Sequence, residues 1–341
     1  MIYVGVDLHL RCCSLCVKDA RGMVLERATV ANRGVDLDRC FGRLQERYGE
    51  VCVAAESSSF FSAFARRVGR FATGLVMAHA AEVKAIAQAT LKTDRVDAER
   101  LAELLRLEAL PQGWIADAAT QALRDQTRLR SRLVKSRTQW KNQVRARLHR
   151  QGEQAPCGLW TKAGRAWLEA GPGDLGLAAM LRMVDTADAL VGEQERGLRQ
   201  QASADARMHW LQSIPGVGVV TAAVIVAELG DPARFRHARQ VASYAGLVPV
   251  VRESAGRRLG RGHITRAGSP ALRHVLIEAA WTAVRRSPEV RGCFLRLSRR
   301  KAKNVAIVAI ARRLLMAAWA LLRHGECFDP ARFAAVEMTA A

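Results

Sequence analysis

Two short apolar runs, residues 2–6 and 51–55, are each followed directly by an acidic residue. Their length and β-branched content predict buried strands, so both acids lie where a strand ends. A third segment, predicted to begin a helix at residue 94, carries two more acids. They are three positions apart and therefore share one helix face. We expect all four carboxylates to converge, as Mg²⁺ or Mn²⁺ requires of oxygen ligands. The four acids are Asp7, Glu56, Asp94 and Asp97.

The first 110 residues alternate strands and helices. The pattern predicts three strands, a helix, a strand, a helix, a strand and two helices. The predicted ranges are 2–8, 12–17, 23–30, 35–47, 51–55, 59–70, 74–77, 80–89 and 94–108. This is the element order of an α/β RNase H-like domain, in which the first strand, the fourth strand and the last helix would carry the four acids.

The net charge of +21 is unevenly distributed along the chain. Residues 1–110 contain 16 Lys/Arg and 14 Asp/Glu, whereas residues 111–341 contain 37 and 18. A nearly neutral domain followed by a strongly cationic remainder is typical of a nucleic-acid-binding protein. We expect no membrane association, because no amphipathic anchor dominates and the N-terminus does not resemble a signal peptide. The expected location is the cytosol.

A long basic helix is predicted over about 120–151, where residues 124–150 contain ten Lys/Arg and one acid. A second long helix, about 175–206, has apolar residues at seven-residue steps. The pair suggests a helical hairpin or coiled coil, and an ordinary two-helix layer is the alternative. The first helix has too many arginines to be buried, so its outer face is expected to contact nucleic acid. The candidate contacts are Arg128, Arg132, Lys135, Lys141 and Arg145.

The segment Ile214-Pro-Gly-Val-Gly218 precedes an apolar helix predicted over 219–229. In one interpretation it is a helix-hairpin-helix, in which Gly216 and Gly218 let backbone N–H groups face a phosphate. In the other it is a tight interhelical turn that needs glycine for positive φ. Further helices are predicted from Ser269-Pro270, where Ser is the N-cap and Pro the first residue, and over about 302–323.

Between these helices, residues 252–268 contain five arginines, one acid and four glycines. This composition predicts an exposed loop rather than core. Ser254 lies within it, and a serine in such a loop is more often simply solvated than nucleophilic.

Five segments together resemble the insertion-sequence-110 transposases, which are DEDD recombinases related to the Piv site-specific DNA invertases. They occur in the family's order and spacing, and the third and fifth are the most distinctive. The segments are Gly5-Val6-Asp7, Ala54-Ala55-Glu56, the Lys-Thr-Asp-Arg-Val-Asp-Ala stretch 92–98, the Ile-Pro-Gly-Val-Gly stretch 214–218, and the stretch 245–268 with its Gly-Leu-Val-Pro and Ile-Thr-Arg-Ala-Gly.

The resemblance implies a RuvC-like domain over 1–112, a coiled-coil insertion over 113–207, a mostly α-helical transposase domain over 208–326 and a tail over 327–341. It also implies that the four acids bind the metal. The family's Ser-Ser-Gly-Gly-Lys aligns with residues 253–257, so Ser254 fills the second serine position. Glu253 and Ala255 depart from the family pattern.

By the same resemblance, Ser254 is expected to attack DNA and form a phosphoserine ester, with Arg257, Arg258 or Arg261 offsetting charge on the phosphate. The implied partners are double-stranded donor and target DNA and a structured bridge RNA encoded by the element. The implied assembly is a homo-oligomer, a dimer or a tetramer, with sites shared between protomers. Three alternatives remain: a Piv-like invertase without a guide, a hydrolytic RuvC-like resolvase, and a non-catalytic nucleic-acid-binding protein.

Overall fold

The structure, a computed structural model, describes residues 1–79, 83, 94–171, 175–250, 253–254, 257–258 and 263–335. For residues 94, 95, 253, 254, 257 and 258 it describes the backbone only. The chain divides into two compact units, Met1–Ala116 and Asp117–Ala341. The further divisions predicted at 207/208 and 326/327 stay predictions.

The N-terminal unit is built on one mixed sheet of strand order β3-β2-β1-β4-β5-β6. Strands β1, β4 and β5 are parallel, and β2, β3 and β6 join them antiparallel. This sheet with its helices is consistent with the predicted RNase H-like domain. The elements are β1 Ile2–Leu8, β2 Cys12–Lys18, β3 Val24–Ala31, α1 Gly34–Tyr48, β4 Val51–Glu56, α2 Phe61–Val68, β5 Gly74–Ala78, α3 Asp94–Arg106 and β6 Gln112–Gly113.

Each face of the sheet has its own core. Helices α1 and α2 cover the face that carries Val4, Val6 and Val53. Helix α3 covers the other face, where Ala54 packs with Leu101. The spacing between β1 and α3 is set by Gly5, because a Cβ there would lie 2.0 Å from the backbone oxygen of Ala98. The glycine therefore allows helix and strand to approach at backbone distance.

One element of this unit was not predicted from the sequence, and one predicted helix falls outside the residues that the structure describes. Residues 112–113, which the sequence analysis assigned to no strand, add β6 as an edge strand, with Gln112 opposite Ala78. Its pairing begins where the His79 N–H donates to the Pro111 carbonyl at 2.9 Å. The helix predicted over 80–89 lies outside the described residues, apart from Val83.

The C-terminal unit is mostly helical, as predicted. Its elements are α4 Ala118–Gln151, α5 Lys162–Ala170, α6 Leu175–Ala204, α7 Ala206–Gln212, α8 Val219–Leu229, a 3-10 turn Pro232–Arg234, α9 Ala238–Tyr244, β7 Glu253–Ser254, β8 Arg257–Arg258, α10 Pro270–Arg286, α11 Pro288–Ser298, α12 Lys303–His324 and α13 Pro330–Ala335. Ser269 caps α10 by accepting a hydrogen bond from the Leu272 N–H, and Pro270 is its first residue, as the sequence predicts.

Helices α4 and α6 pack side by side and antiparallel. Arg130 pairs with Glu195 and, further along α4, Arg137 pairs with Asp188, each at 2.6 Å. The α6 residues that the heptad pattern predicts to be apolar contacts are buried: Leu177, Val184, Val191 and Leu198. On α4, Val144 and Leu148 are buried, whereas Leu129 is 39% exposed. These contacts make α4 and α6 an antiparallel helix pair, which also packs against α8. The coiled coil stays a prediction.

Helix α12, predicted over about 302–323, completes the core of the C-terminal unit. Ile310, Leu314 and Ala318 are fully buried among residues of α8, α10 and α11. Among the described residues, α12 alone is long and apolar enough to cross a membrane, and half of its apolar window is buried within the protein. This burial accounts for its apolar composition, since a core helix needs the same side chains.

Candidate functional site: an acidic strand edge and cationic surfaces

Asp7 and Glu56 lie side by side at the end of two parallel strands. Val6 is in register with Ala55, so the next residues along β1 and β4 are Asp7 and Glu56. Side chains alternate along a strand, so Asp7 faces the same side as Gly5, which is the side covered by α3. Glu56 shares that side with Ala54. The two acids are therefore on the α3 face of the sheet.

Ion pairs fix the direction of α3 across this face. Lys18, which is opposite Tyr3 near the start of β1, places its Nζ 2.8 Å from Glu103 Oε2 and 3.6 Å from Glu99 Oε1. Hydrogen bonds to Glu103, from Arg106 first and then from Lys18, lower the pKa of this carboxyl to about 2. The last turns of α3 therefore lie at the start of β1, and its first turn lies toward the end of β1 that carries Asp7.

Distances along the two elements agree with this placement. Ala98 contacts Gly5, and Asp94 is four residues before Ala98, which is about 6 Å along a helix. Asp7 is two residues beyond Gly5, which is about 7 Å along a strand. The start of α3 and the end of β1 thus lie at the same level of the sheet.

The carboxyl groups described at this edge have separate local partners. Asp7 Oδ2 lies 3.1 Å from His9 Nε2, and Asp97 Oδ1 lies 3.7 Å from Arg100 Nη1. Among the described side chains, no three His, Cys, Asp or Glu lie close enough together to hold a metal ion. The side chain of Asp94 is outside that description. The four-acid metal site therefore stays a prediction, supported by where the backbone places its members.

Ser254 lies in a short two-stranded hairpin, which the sequence analysis did not predict within this loop. Ser254 is opposite Arg257, and Glu253 is opposite Arg258. Arg261 lies outside the described residues. At the base of this segment, Val250 N–H donates to His263 O at 2.7 Å and Pro249 is bridged to Ile264. The base is therefore antiparallel and extended.

The same base is held by close backbone packing. Gly246 and Gly268 both have positive φ, and a Cβ at Gly268 would lie 1.8 Å from the Tyr244 oxygen. Arg273 Nη1 donates to the carbonyls of Ala245 and Ala267, each at 3.0 Å. Sequence reasoning did not single out Arg273. The sequence does contain a feature that could have indicated this role: Arg273 lies one turn into a predicted helix that directly follows a glycine-rich segment.

Arg128 has a structural role that the sequence prediction did not include. Its Nε and Nη2 donate to the two carboxylate oxygens of Glu228 at 3.0 and 3.2 Å, and Glu228 is only 2% exposed. Burial lowers the pKa of the guanidinium, but the hydrogen bonds and charge of Glu228 outweigh this and raise it. Arg128 therefore neutralises a buried acid of α8, which leaves less of its guanidinium for a phosphate.

We expect Arg128→Met to lower the free energy of unfolding by about 2–3 kcal/mol. This decrease in the free energy of unfolding is smaller than the decrease expected for a fully buried ion pair, because Arg128 is 48% exposed and water reaches it. Arg132→Met, one turn along and exposed, is the matched control and should change stability by less than about 0.5 kcal/mol. Urea unfolding followed by circular dichroism measures both. Equal stability of the two variants would contradict a stabilising role for the ion pair.

The remaining candidate cations of α4 fall into two groups. Lys141 is half-buried, with its Nζ 4.8 Å from the centre of the Trp160 ring and 4.0 Å from Asp188. Arg132, Lys135 and Arg145 are exposed and, within the part of the chain that the structure describes, make no ion pair. These three are the α4 side chains best placed to meet a phosphate.

The two glycines in the turn between α7 and α8 have different surroundings, and only the interhelical-turn interpretation is supported directly. Gly216 has φ +87°, and a Cβ there would lie 2.4 Å from the Ala279 oxygen of α10. A glycine is therefore needed at position 216 both for the positive φ and for the close approach of α10. At Gly218, the N-cap of α8, a Cβ would have no heavy atom within 4 Å. Of the two glycines, Gly218 is the one whose surroundings are open.

A sheet with two carboxylates at one edge, in a chain whose remainder is strongly cationic, agrees with a transposase of the DEDD class. Residues 4–151 match the DEDD transposase model of IS110 elements. Residues 208–294 match the model described as the transposase IS116/IS110/IS902 family. The chain therefore belongs to the IS116/IS110/IS902 family of transposases.

Individual relatives agree with this membership. A probable family 20 transposase of Pseudomonas aeruginosa is 32% identical over 253 residues, which are 70% of this chain and 74% of the relative. The transposase of insertion sequence element IS1111A of Coxiella burnetii is 29% identical over 249 residues, 70% of this chain and 68% of the relative. The uncharacterized 43.6 kDa protein of insertion element IS110 of Streptomyces coelicolor is 34% identical over 155 residues, 44% and 38% of the two chains.

Proposed function

We propose that this transposase cuts and rejoins DNA with a divalent metal held by four acids and with Ser254 as the nucleophile. The observation that carries the proposal is the placement of Asp7, Glu56 and the first turn of α3 on one face and at one end of the sheet. In the proposed function, the two strands and the helix would present their acids to the same phosphate. The acids are Asp7, Glu56, Asp94 and Asp97.

The residues fit Mg²⁺, or Mn²⁺, by the chemistry of their donors. All four offer carboxylate oxygens, the ligands these cations prefer. When bound, such a cation would offset phosphate charge and lower the pKa of a coordinated hydroxyl. The protein's own part is to hold the carboxylates in place. His9 orients Asp7 from 3.1 Å, and the Lys18–Glu103 ion pair fixes α3 against the sheet.

Ser254 would form a covalent ester with the cut DNA strand, so that the strand stays attached to the protein between cutting and joining. In the proposed step its Oγ forms an ester with the phosphorus, the phosphorus–oxygen bond of the DNA breaks, and the serine proton leaves on the freed DNA hydroxyl. A hydroxyl of the other strand then attacks the phosphoserine and restores Ser254. Arg257, opposite Ser254 in the hairpin, would offset the charge on the phosphate, together with Arg258 and Arg261.

We further propose that donor and target DNA are chosen by a structured bridge RNA that the element encodes. The support is the positive charge of the C-terminal unit and the exposed cations of α4, which suit phosphate contacts. The acids lie in the N-terminal unit and Ser254 lies in the C-terminal unit. We expect a homo-oligomer, dimer or tetramer, in which protomers share sites. The expected location is the bacterial cytosol and nucleoid.

Strand exchange with purified components tests this function. Donor and target duplexes, protein and Mg²⁺ are incubated with or without RNA transcribed from the element's noncoding ends. We expect rejoined products only when both RNA and Mg²⁺ are present. Equal exchange without RNA would favour the Piv-like invertase. Cut but unjoined products would favour the RuvC-like resolvase, and binding without any cleavage would favour a non-catalytic protein.

A further inference from the structure

The connection between α11 and α12 carries a compact group of cations beyond the residues that match either family model. Four basic side chains stand within five positions, and all of them are exposed. We call this surface the 299–303 patch. It consists of Arg299, Arg300, Lys301 and Lys303.

The patch differs from the basic helix α4 in how its charges are balanced. On α4, several cations are paired with acids, as Arg128 is with Glu228 and Arg137 with Asp188. Within the described part of the chain, no cation of the 299–303 patch makes an ion pair. The sequence agrees, since residues 290–325 contain nine Lys/Arg and no Asp or Glu. Like charges this close repel one another, and no described acid pairs with them to reduce that repulsion.

The patch is also held in a fixed place. The N–H groups of Arg300 and Lys301 both donate to the Leu297 carbonyl, at 3.2 and 3.0 Å. On either side the chain is anchored in the core, by Phe294 of α11 and Ile307 of α12. A tight turn between two core helices presents the charges at constant spacing, which reduces the ordering cost of binding.

We infer that the 299–303 patch is a sequence-independent binding surface for the phosphates of double-stranded DNA. Arginine and lysine at fixed spacing neutralise phosphates and release their counterions whatever the base sequence. The inference rests on the proposed function only in that DNA is the substrate. In the strand-exchange reaction, such a surface would bind the DNA that flanks the cut. The guide RNA and the four acids would act at other positions on the DNA.

The test is the salt dependence of binding to a random-sequence duplex, by fluorescence anisotropy in EDTA. For Arg299→Ala/Arg300→Ala/Lys301→Ala, we expect the slope of log K against log salt to fall by about 2–3, near 0.9 per lost contact. The matched control is Arg21→Ala/Arg39→Ala/Arg47→Ala, which removes the same charge from exposed positions of the N-terminal unit. The control slope should stay near that of the wild type.

An unchanged slope in the 299–303 variant, or an equal fall in the control, would overturn the inference. A fall seen with an RNA hairpin but not with the duplex would overturn the assignment to DNA. Melting temperatures check folding, and they should be unaffected because the side chains are exposed. The assay contains no divalent cation and measures no cleavage. Its result is therefore independent of the four acids and Ser254.

Discussion

Asp7→Asn should reduce DNA strand cleavage by about a thousandfold, because the stabilisation of phosphate charge that it helps to supply is worth several kcal/mol. Asparagine keeps the shape of the side chain but removes its charge. Binding to DNA in EDTA should be unchanged. The measurement is the rate of cleavage of a labelled element end at saturating Mg²⁺.

Asp36→Asn is the matched control for this substitution. Asp36 lies in the first turn of α1, on the face of the sheet opposite Asp7. We expect cleavage by the control to stay within about twofold of the wild type, because surface substitutions away from a site have small effects. If Asp7→Asn cuts at the wild-type rate, or if both variants fail equally, the acidic edge of the sheet is not the cutting site.

Ser254→Ala should abolish strand exchange, with a loss on the order of 10⁴-fold or more, because no other group replaces a missing nucleophile. DNA binding and stability should be retained, since the change removes one oxygen from a charged, glycine-rich segment. Ser243→Ala, at an exposed position of α9, is the control and should exchange strands normally. Cutting and joining measured on one gel separate this prediction from the resolvase alternative, in which Ser254→Ala would still cut.

The architecture of the N-terminal unit was largely predictable from sequence. The apolar runs predicted β1 and β4, and the acid that follows each run marked where the strand ends. The observed parallel register of the two strands places Asp7 beside Glu56. What the pattern did not reveal is how α3 is oriented. That depends on the Lys18–Glu103 ion pair, which joins residues 85 positions apart, and on the close approach at Gly5. Long-range contacts of this kind leave no local periodicity.

The cationic surfaces were harder to predict, because sequence shows charge but not pairing. Arg128 and Arg132 look equivalent along α4, four residues apart. Arg128 is paired with a buried acid 100 positions away, and Arg132 is exposed. The hairpin around Ser254 was missed because its strands are only two residues long, too short for an alternation signal.

The central claim is that Ser254 becomes covalently joined to DNA in a metal-dependent step, and mapping the adduct tests it most directly. Protein is incubated with end-labelled substrate DNA and Mg²⁺, denatured, and digested with nuclease and trypsin. Cleavage after Arg252 and Arg257 releases residues 253–257, Glu-Ser-Ala-Gly-Arg, in which Ser254 is the sole hydroxyl side chain. We predict that mass spectrometry finds a nucleotide on this peptide, and that the adduct disappears in Ser254→Ala and in Asp7→Asn. Strand exchange that proceeds without any adduct, or with the nucleotide on another peptide, would contradict the account.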